Sequence, residues 1–209
     1  MLKIINRILQ KEMKYENTVV LKYHIEYPEI VMDWQQNRNG IKKFNDYNLK
    51  MALQTQQKAE NELYKEAIEL YKYNKENGYP QMMYELYIEY QITLNQENAV
   101  SMYIDEYIFS GGAHGTTTRT SQTWNLMLGK MVELYELYPN EPYFLLDILR
   151  KINREISENL ENFFADPYPL VVEYFNPESY YIDNGKVVIY FQQYDIAPYS
   201  SGIIEFTLE

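Results

Sequence analysis

Cysteine is missing from all 209 residues of this chain. That excludes a disulfide framework, thiolate-bound zinc and a thiol nucleophile together. It leaves the compartment open, because a domain of this size needs no disulfides outside the cell. Histidine is scarce: only His24 and His114 occur, far apart in the chain. Neither an HExxH helix nor any paired-histidine spacing exists to ligate a metal. The phosphate cradles GxxxxGKS/T and GxGxxG are absent, as is the GxSxG elbow of serine hydrolases. The expectation is therefore no catalytic residue, no metal and no cofactor. Carboxylates are plentiful but no pair is singled out by sequence, so a carboxylate-based hydrolase stands as the third and least favoured reading. Long apolar runs are lacking too, so membrane insertion is not expected. Basic residues are the scarcer charge, 19 against 30 acidic ones, for a formal net charge of −11. Nucleic acid and anionic membrane surfaces are disfavoured as partners, since both are bound through Lys and Arg. A cationic partner is steered toward such a chain, although the same charge also serves solubility alone.

What is present fits a globular protein. Hydrophobic residues make up 46% and charged residues 23%, enough to bury a core and too apolar for wholesale disorder. Tyrosine stands out, with 23 residues against 2 tryptophans. Tyrosine enriches binding surfaces through its rigid ring and polar tip. Asn, Lys and Ile are also abundant, the bias of an AT-rich coding sequence.

The pattern of apolar residues sets out the elements. The N-terminal MLKIINRILQKEMKYEN spaces Leu2, Ile5, Ile8 and Leu9 as a helix does, without the continuous run of a signal peptide. As written the chain carries no export signal, which by default implies the cytoplasm. Residues 15–27 read as a strand with Val19, Leu21, Tyr23 and Ile25 on one face and His24 on the other, partly exposed. Asn39-Gly40 breaks the chain before a long helix over 41–76, whose stripe runs through Phe44, Asn48, Met51, Thr55, Ala59, Leu63, Ala67, Leu70 and Tyr71. Asn77-Gly78 with Pro80 ends it.

The period then changes to two. Tyr84, Leu86, Ile88, Tyr90, Ile92 and Leu94 face one way, and a second alternating run follows from Val100 to Ile108. A Thr/Ser strand leads to Trp124 and Leu126, and Leu128-Gly129-Lys130 makes a small hairpin. Asn140 caps a second helix with Leu145, Leu149, Ile152, Ile156, Leu160 and Phe163 as its stripe, closed by Pro167 and Pro169. Two short strands flank Asp183-Asn184-Gly185-Lys186, and IIEFTLE ends the chain as a strand. The fold class is α+β: antiparallel sheets with two main helices, in the order β-α-βββ-α-βββ. The organisation is an N-terminal strand–helix–strand part over 1–95 and a C-terminal part over 96–209, joined as one compact unit.

One loop concentrates unusual residues. In FSGGAHGTTTRTSQTW, Gly111, Gly112 and Gly115 permit positive φ and close backbone approach. With His114 and Thr116 they form a candidate ligand-binding rim of backbone N–H groups, an imidazole and a hydroxyl. The alternative is a wide strand connection in which His114 bonds a backbone group and holds the loop. Sequence alone leaves both open.

The stretch YIFSGGAHGTTTRTSQTWNLMLGKMVEL resembles the signature of one bacterial domain family: GGAH, a polar strand, an Asp- or Asn-led turn, then T/L-G-K. It is the extracellular domain of lysozyme-sensing anti-sigma factors of the RsiV type. It also precedes the catalytic domain of peptidoglycan deacetylases such as PdaC. The closing YDIAPYSSGIIEF is similar to that family's last loop and strand, so the resemblance spans about residues 15–208. It implies an α+β domain that binds rather than catalyses, placed outside the cell or at its surface. It implies as partner a basic protein such as lysozyme or, alternatively, the glycan of peptidoglycan. The cytoplasmic sigma-binding segment, the transmembrane helix and the deacetylase domain of those relatives have no counterpart in this sequence.

Overall fold

The computed structural model describes residues 1–31 and 38–208. They form two compact units, both discontinuous in sequence. The first comprises Leu2–Tyr90 and Ile104–Thr117; the second comprises Gln91–Tyr103 and Thr118–Glu209, together with Met1. Six strands are hydrogen-bonded in the order β1 (Lys3–Tyr15), β2 (Thr18–Val31), β3 (Tyr84–Gln96), β4 (Ala99–Phe109), β5 (Thr116–Asn125) and β6 (Lys130–Met131). A separate three-stranded sheet holds β7 (Tyr180–Asp183), β8 (Lys186–Phe191) and β9 (Ile204–Leu208). The helices are α1 (Arg38–Lys58), α2 (Tyr64–Asn77), α3 (Phe144–Glu158) and α4 (Pro167–Tyr174), and a π-helical segment at Ala59–Leu63 joins the first two. The α+β class expected from the sequence is the observed one. The observed order adds a strand at the start, β6 before α3 and a short helix after it. Glu209, the last residue of the expected final strand, lies outside the described residues.

In the first unit the N-terminal segment is a strand and not a helix. Thirteen residues of β1 pair antiparallel with β2, turning through Glu16 and Asn17 at φ 47° and 67°. Leu9 and Met13 are four apart, a spacing that suits a helix face and a strand face equally. Both, with Tyr15, pack on the core of this unit, and the pairing partner decides the outcome. On β2, Leu21, Tyr23 and Ile25 are buried as expected, while a shift of register opposite Met13 and Lys14 also buries Val20. The extra residue of a bulge breaks strict alternation in this way.

The six-stranded sheet is not purely antiparallel. β2 and β3 run parallel, with Leu21 opposite Tyr84 and Ile25 opposite Ile88. Parallel neighbours need a crossover of a dozen or more residues, which α1 and α2 supply. Asn39-Gly40 lies within the first turn of α1 and does not precede it; Gly40 is buried there. The stripe also differs at one position: Ala52 is buried and Met51 is exposed. Ala59, Leu63, Ala67 and Tyr71 repeat every four residues and are all buried. A regular helix turns every 3.6 residues, so such a stripe drifts off its face unless a turn is widened. The π segment widens it. Gly78, at φ 71°, then caps α2 by donating its N–H to Asn74.

In the second unit α3 packs through Ile148, Ile152 and Ile156 against Ile189, Phe191, Phe206 and Leu208 of the small sheet. Leu145 and Leu160, expected in this stripe, are exposed. The helix begins at Phe144, after a loop, and that phase turns Ile148 inward. Pro167 does not merely close α3; it starts α4, because proline at a first helical position loses no bond. Ile152→Ala should therefore cost about 2–5 kcal/mol by leaving a cavity. Leu145→Ala should stay within about 0.5 kcal/mol. Urea unfolding of both variants checks the helix phase, and equal costs contradict it.

Candidate functional site

The loop between β4 and β5 carries the candidate residues. Gly111 and Gly112 adopt φ of 92° and 95°, conformations that residues with a Cβ rarely take. At Gly111 a Cβ would lie 3.1 Å from Leu70 Cδ2, so the loop sits close over the joined helix. The Gly112 N–H points at Met82 Sδ at 3.4 Å. Gly115 is tighter: an added Cβ would stand 2.5 Å from the Tyr107 ring and 2.6 Å from the Ile108 carbonyl oxygen. Gly111 and Gly115 thus serve close packing inside the first unit, while Gly112 is required by its positive φ alone. His114 Nδ1 lies 3.0 Å from the Gly115 carbonyl, to which it donates as the protonated ring nitrogen. The histidine bonds a backbone group as the structural alternative requires, yet its ring and Thr116 are both exposed. The outcome is a pinned loop with an accessible rim. His24 is held elsewhere, by Gln10 and Glu26 at 3.1 Å each. Among the described residues no group of three or more His, Asp or Glu is placed to hold a metal ion.

A second constellation, which sequence reading missed, lies in the second unit around Arg119. Alternation along β5 exposes Thr118 and Thr120 and buries Arg119. Its side chain is only 9% exposed. The guanidinium lies 3.7 Å from the centroid of Tyr103 and 5.9 Å from that of Tyr190, and it pairs with the carboxylate of Glu205. A desolvated cation needs such partners, because burying it unpaired is prohibitive. Tyr181 donates its hydroxyl to the same carboxylate at 2.9 Å. Burial, then the carboxylate, pushes the Tyr181 phenol above the usual tyrosine range. The Arg119 backbone is engaged as well: its N–H donates to Gln192 Oε1 at 2.8 Å, and Gln192 Nε2 returns a bond to its carbonyl at 2.7 Å. One signal was present in the sequence. A lone arginine set in a Thr/Ser strand takes the inward phase of Thr123, not the outward phase of Thr118 and Thr120.

The hydroxyls around it have a related task. β7 is an edge strand of the small sheet, and edges present unpaired N–H and C=O groups. Here side chains of β3, β4 and β5 meet them. Thr93 donates to the Ile182 carbonyl at 2.7 Å, and Ser101 accepts from the Ile182 N–H at 2.8 Å. Ser121 donates to the Tyr180 carbonyl at 2.5 Å, and Ser101 and Thr123 bond each other at 2.8 Å. Tyr180 donates its own hydroxyl to the Val132 carbonyl at 2.6 Å, and burial pushes its pKa up to about 12. Arg119 and its tyrosines therefore make a structural clamp. Of its members Glu205 stays partly exposed, and further accessible groups lie at the glycine loop.

The fold thus combines a mixed sheet and a joined helix with a small antiparallel sheet backed by α3. Residues 14–117 match the family described as Deacetylase PdaC, and residues 136–209 match the family of proteins of unknown function DUF3298. The chain thus carries both family domains in tandem, the PdaC domain first and the DUF3298 domain after it. The crystal structure of a DUF3298 family member from Bacteroides fragilis is similar to it, with a TM-score of 0.67 at 18% identity over 99% of this chain and 90% of that one. A DUF3298 family protein from Pseudomonas aeruginosa superposes with a TM-score of 0.64 at 15% identity, again over 99% and 90%. At these identities the likeness is one of fold. No curated protein matches the chain.

Two outcomes follow for the clamp. Arg119→Met keeps the bulk but strips Glu205 of its cation; it should lower stability by about 2–4 kcal/mol, below the loss for a fully buried pair because Glu205 is partly exposed. Chemical denaturation measures this, and a loss under about 1 kcal/mol contradicts a clamp. The second outcome concerns pH. Tyr180 is held neutral by the fold, so its contribution is complete below the ordinary tyrosine pKa of about 10 and is lost as pH rises through about 12. The urea midpoint should fall over that window, and Tyr180→Phe should fall less steeply there than wild type.

Proposed function

We propose that this chain is a non-enzymatic binding domain whose partner is a basic protein of the lysozyme kind. The observation that supports it is the disposition of charge. Acidic residues exceed basic ones by 30 to 19, and several of the cations are already engaged within the molecule. Lys11 pairs with Glu60, Lys58 with Glu106, Lys75 with Glu16, Lys130 with Glu136 and Arg119 with Glu205. Pairing these cations locally leaves the carboxylate excess to set the field that a partner meets. Opposite charge speeds encounter and helps to select the partner. The resemblance to lysozyme-sensing ectodomains points the same way.

The exposed loop with Gly111, Gly112, His114 and Thr116 is the proposed contact rim. Its glycines hold it against Leu70, Met82 and Tyr107, and a rim fixed before binding loses little entropy on association. The family name Deacetylase PdaC carries an activity, but for this chain the reading favours recognition. Its two histidines are each tied to a local partner, and its one buried cation, among the described residues, is held in the Arg119–Glu205 pair.

Calorimetric titration with lysozyme near physiological salt tests the reading, with an unrelated protein of similar positive charge as control. The expected result is saturable 1:1 binding to lysozyme only, weakening as salt screens the charges. Muramidase activity falls if the cleft is covered. Thr116→Lys should weaken binding about tenfold at unchanged melting temperature. Equal binding of both basic proteins, or of neither, overturns the proposal.

A further inference from the structure

A groove of 480 Å³ opens on the second unit between the end of α3, the helical turn at Tyr199–Ser201 and β9. Its volume falls within the range of small-molecule sites. It shares the Glu205 carboxylate with the Arg119 clamp and otherwise differs from it in chemistry. Asn159 and Asn162 bring two amides, Ser200 and Ser201 two hydroxyls, and Glu155 a carboxylate; all five residues are exposed. Phe163 is half-buried at the groove and supplies an aromatic ring. Among the described lining residues there is no Lys, Arg or His.

We propose that this groove binds an uncharged oligosaccharide, with Phe163 under a sugar ring and the Asn, Ser and Glu side chains on its hydroxyl and acetamido groups. The argument is one of matching chemistry. A sugar ring presents an apolar C–H face and a rim of groups that both donate and accept. An aromatic ring flanked by amides, hydroxyls and a carboxylate answers both. Without a cation in the lining to answer its charge, an anionic ligand meets the carboxylates of Glu155 and Glu205 beside neutral amides and hydroxyls, at a cost that discriminates against it.

The site is also built before a ligand arrives. Phe163 stacks nearly parallel on Phe206, with centroids 6.4 Å apart and planes 15° apart, and Phe206 meets Phe191 edge-on at 5.9 Å. The Phe164 N–H donates to the Ile196 carbonyl at 3.1 Å, and the Ser201 hydroxyl reaches the Asn162 carbonyl at 3.5 Å. The two segments that flank the groove are thereby tied together. On its inner side Glu205 is held by Arg119 and by the Tyr181 hydroxyl. A ring and walls fixed in advance spare the ligand the ordering cost that weak glycan sites ordinarily bear.

The site is distinct from the proposed rim on the β4–β5 loop, and its test is independent of lysozyme. The probe is the β-1,4-linked tetramer of N-acetylglucosamine, titrated into the whole chain and followed by calorimetry and amide chemical shifts. Saturable binding is expected, unchanged by a tenfold rise in salt, with shifts centred on 155–163 and 200–206. Asn162→Ala should weaken it about tenfold. Ser200→Trp, which fills the groove from an exposed position, should abolish it. Both variants should melt with wild type; Phe163→Ala is avoided as the deciding variant because its ring is part of the core. Absence of saturable binding to wild type overturns the proposal. So does binding indifferent to both substitutions, or equal binding of an oligogalacturonate of the same length.

Discussion

A guanidinium with only 9% of its side chain exposed imposes conditions on everything around it. Arg119 cannot shed its proton at any ordinary pH, so its charge must be answered where it lies. Glu205 answers with a carboxylate, and Tyr103 and Tyr190 with the negative faces of their rings. These partners come from β9, β4 and β8, so the charge draws together strands of two sheets within the second unit. The aromatic contacts extend outward, Tyr103 to Tyr181 at 5.2 Å and Tyr181 to Tyr190 at 6.3 Å. At these sites tyrosine serves packing first, whatever the origin of its abundance.

The polar character of β5 follows from the same arrangement. A strand of Thr, Ser, Gln and Arg suits an exposed rim or an edge. Here its inward hydroxyls face another strand's edge. Ser121 satisfies β7 directly, and Thr123 bonds Ser101, which does so in turn. A hydroxyl can donate and accept at once, which lets a side chain stand where a neighbouring strand's backbone would. The small sheet therefore shows no unpaired Ile182 backbone at its edge, the exposure that invites aggregation. The proposed binding surfaces are the pinned glycine loop and the groove beside α3.

The first unit depends on a different constraint, the match between a helix and a sheet. Ala59 and Ala67 are fully buried, and only small side chains let the helix approach so closely. Glu60, within the π segment, accepts from Tyr23 at 2.8 Å and from Lys11 at 2.9 Å. The widened turn thus keeps the apolar face aligned and anchors the rod to both strands of the first hairpin. Lys11 and Tyr23 together hold that carboxyl below its usual range.

The sequence by itself determined the α+β class, the long helix and its Gly78 cap, the alternating strand at Tyr84–Ile88, and the hairpin at Asn184-Gly185. Each rests on a local period or on a turn residue with one dominant physical meaning. It also determined the excess of negative charge and, through the GGAH and IAPY stretches, the family. Tertiary structure decided what local signals leave ambiguous. Leu2, Ile5, Ile8 and Leu9 carry a helical spacing, and only pairing with β2 made their segment a strand. The phase of α3 followed from where the preceding loop ended, so Ile148 and not Leu145 turned inward. The parallel pairing of β2 with β3 depended on the crossover between them. The role of Arg119 was hidden most completely, because Tyr103, Tyr181, Tyr190 and Glu205 are scattered over a hundred positions. No period connects them, and only the folded chain brings their charges and rings together.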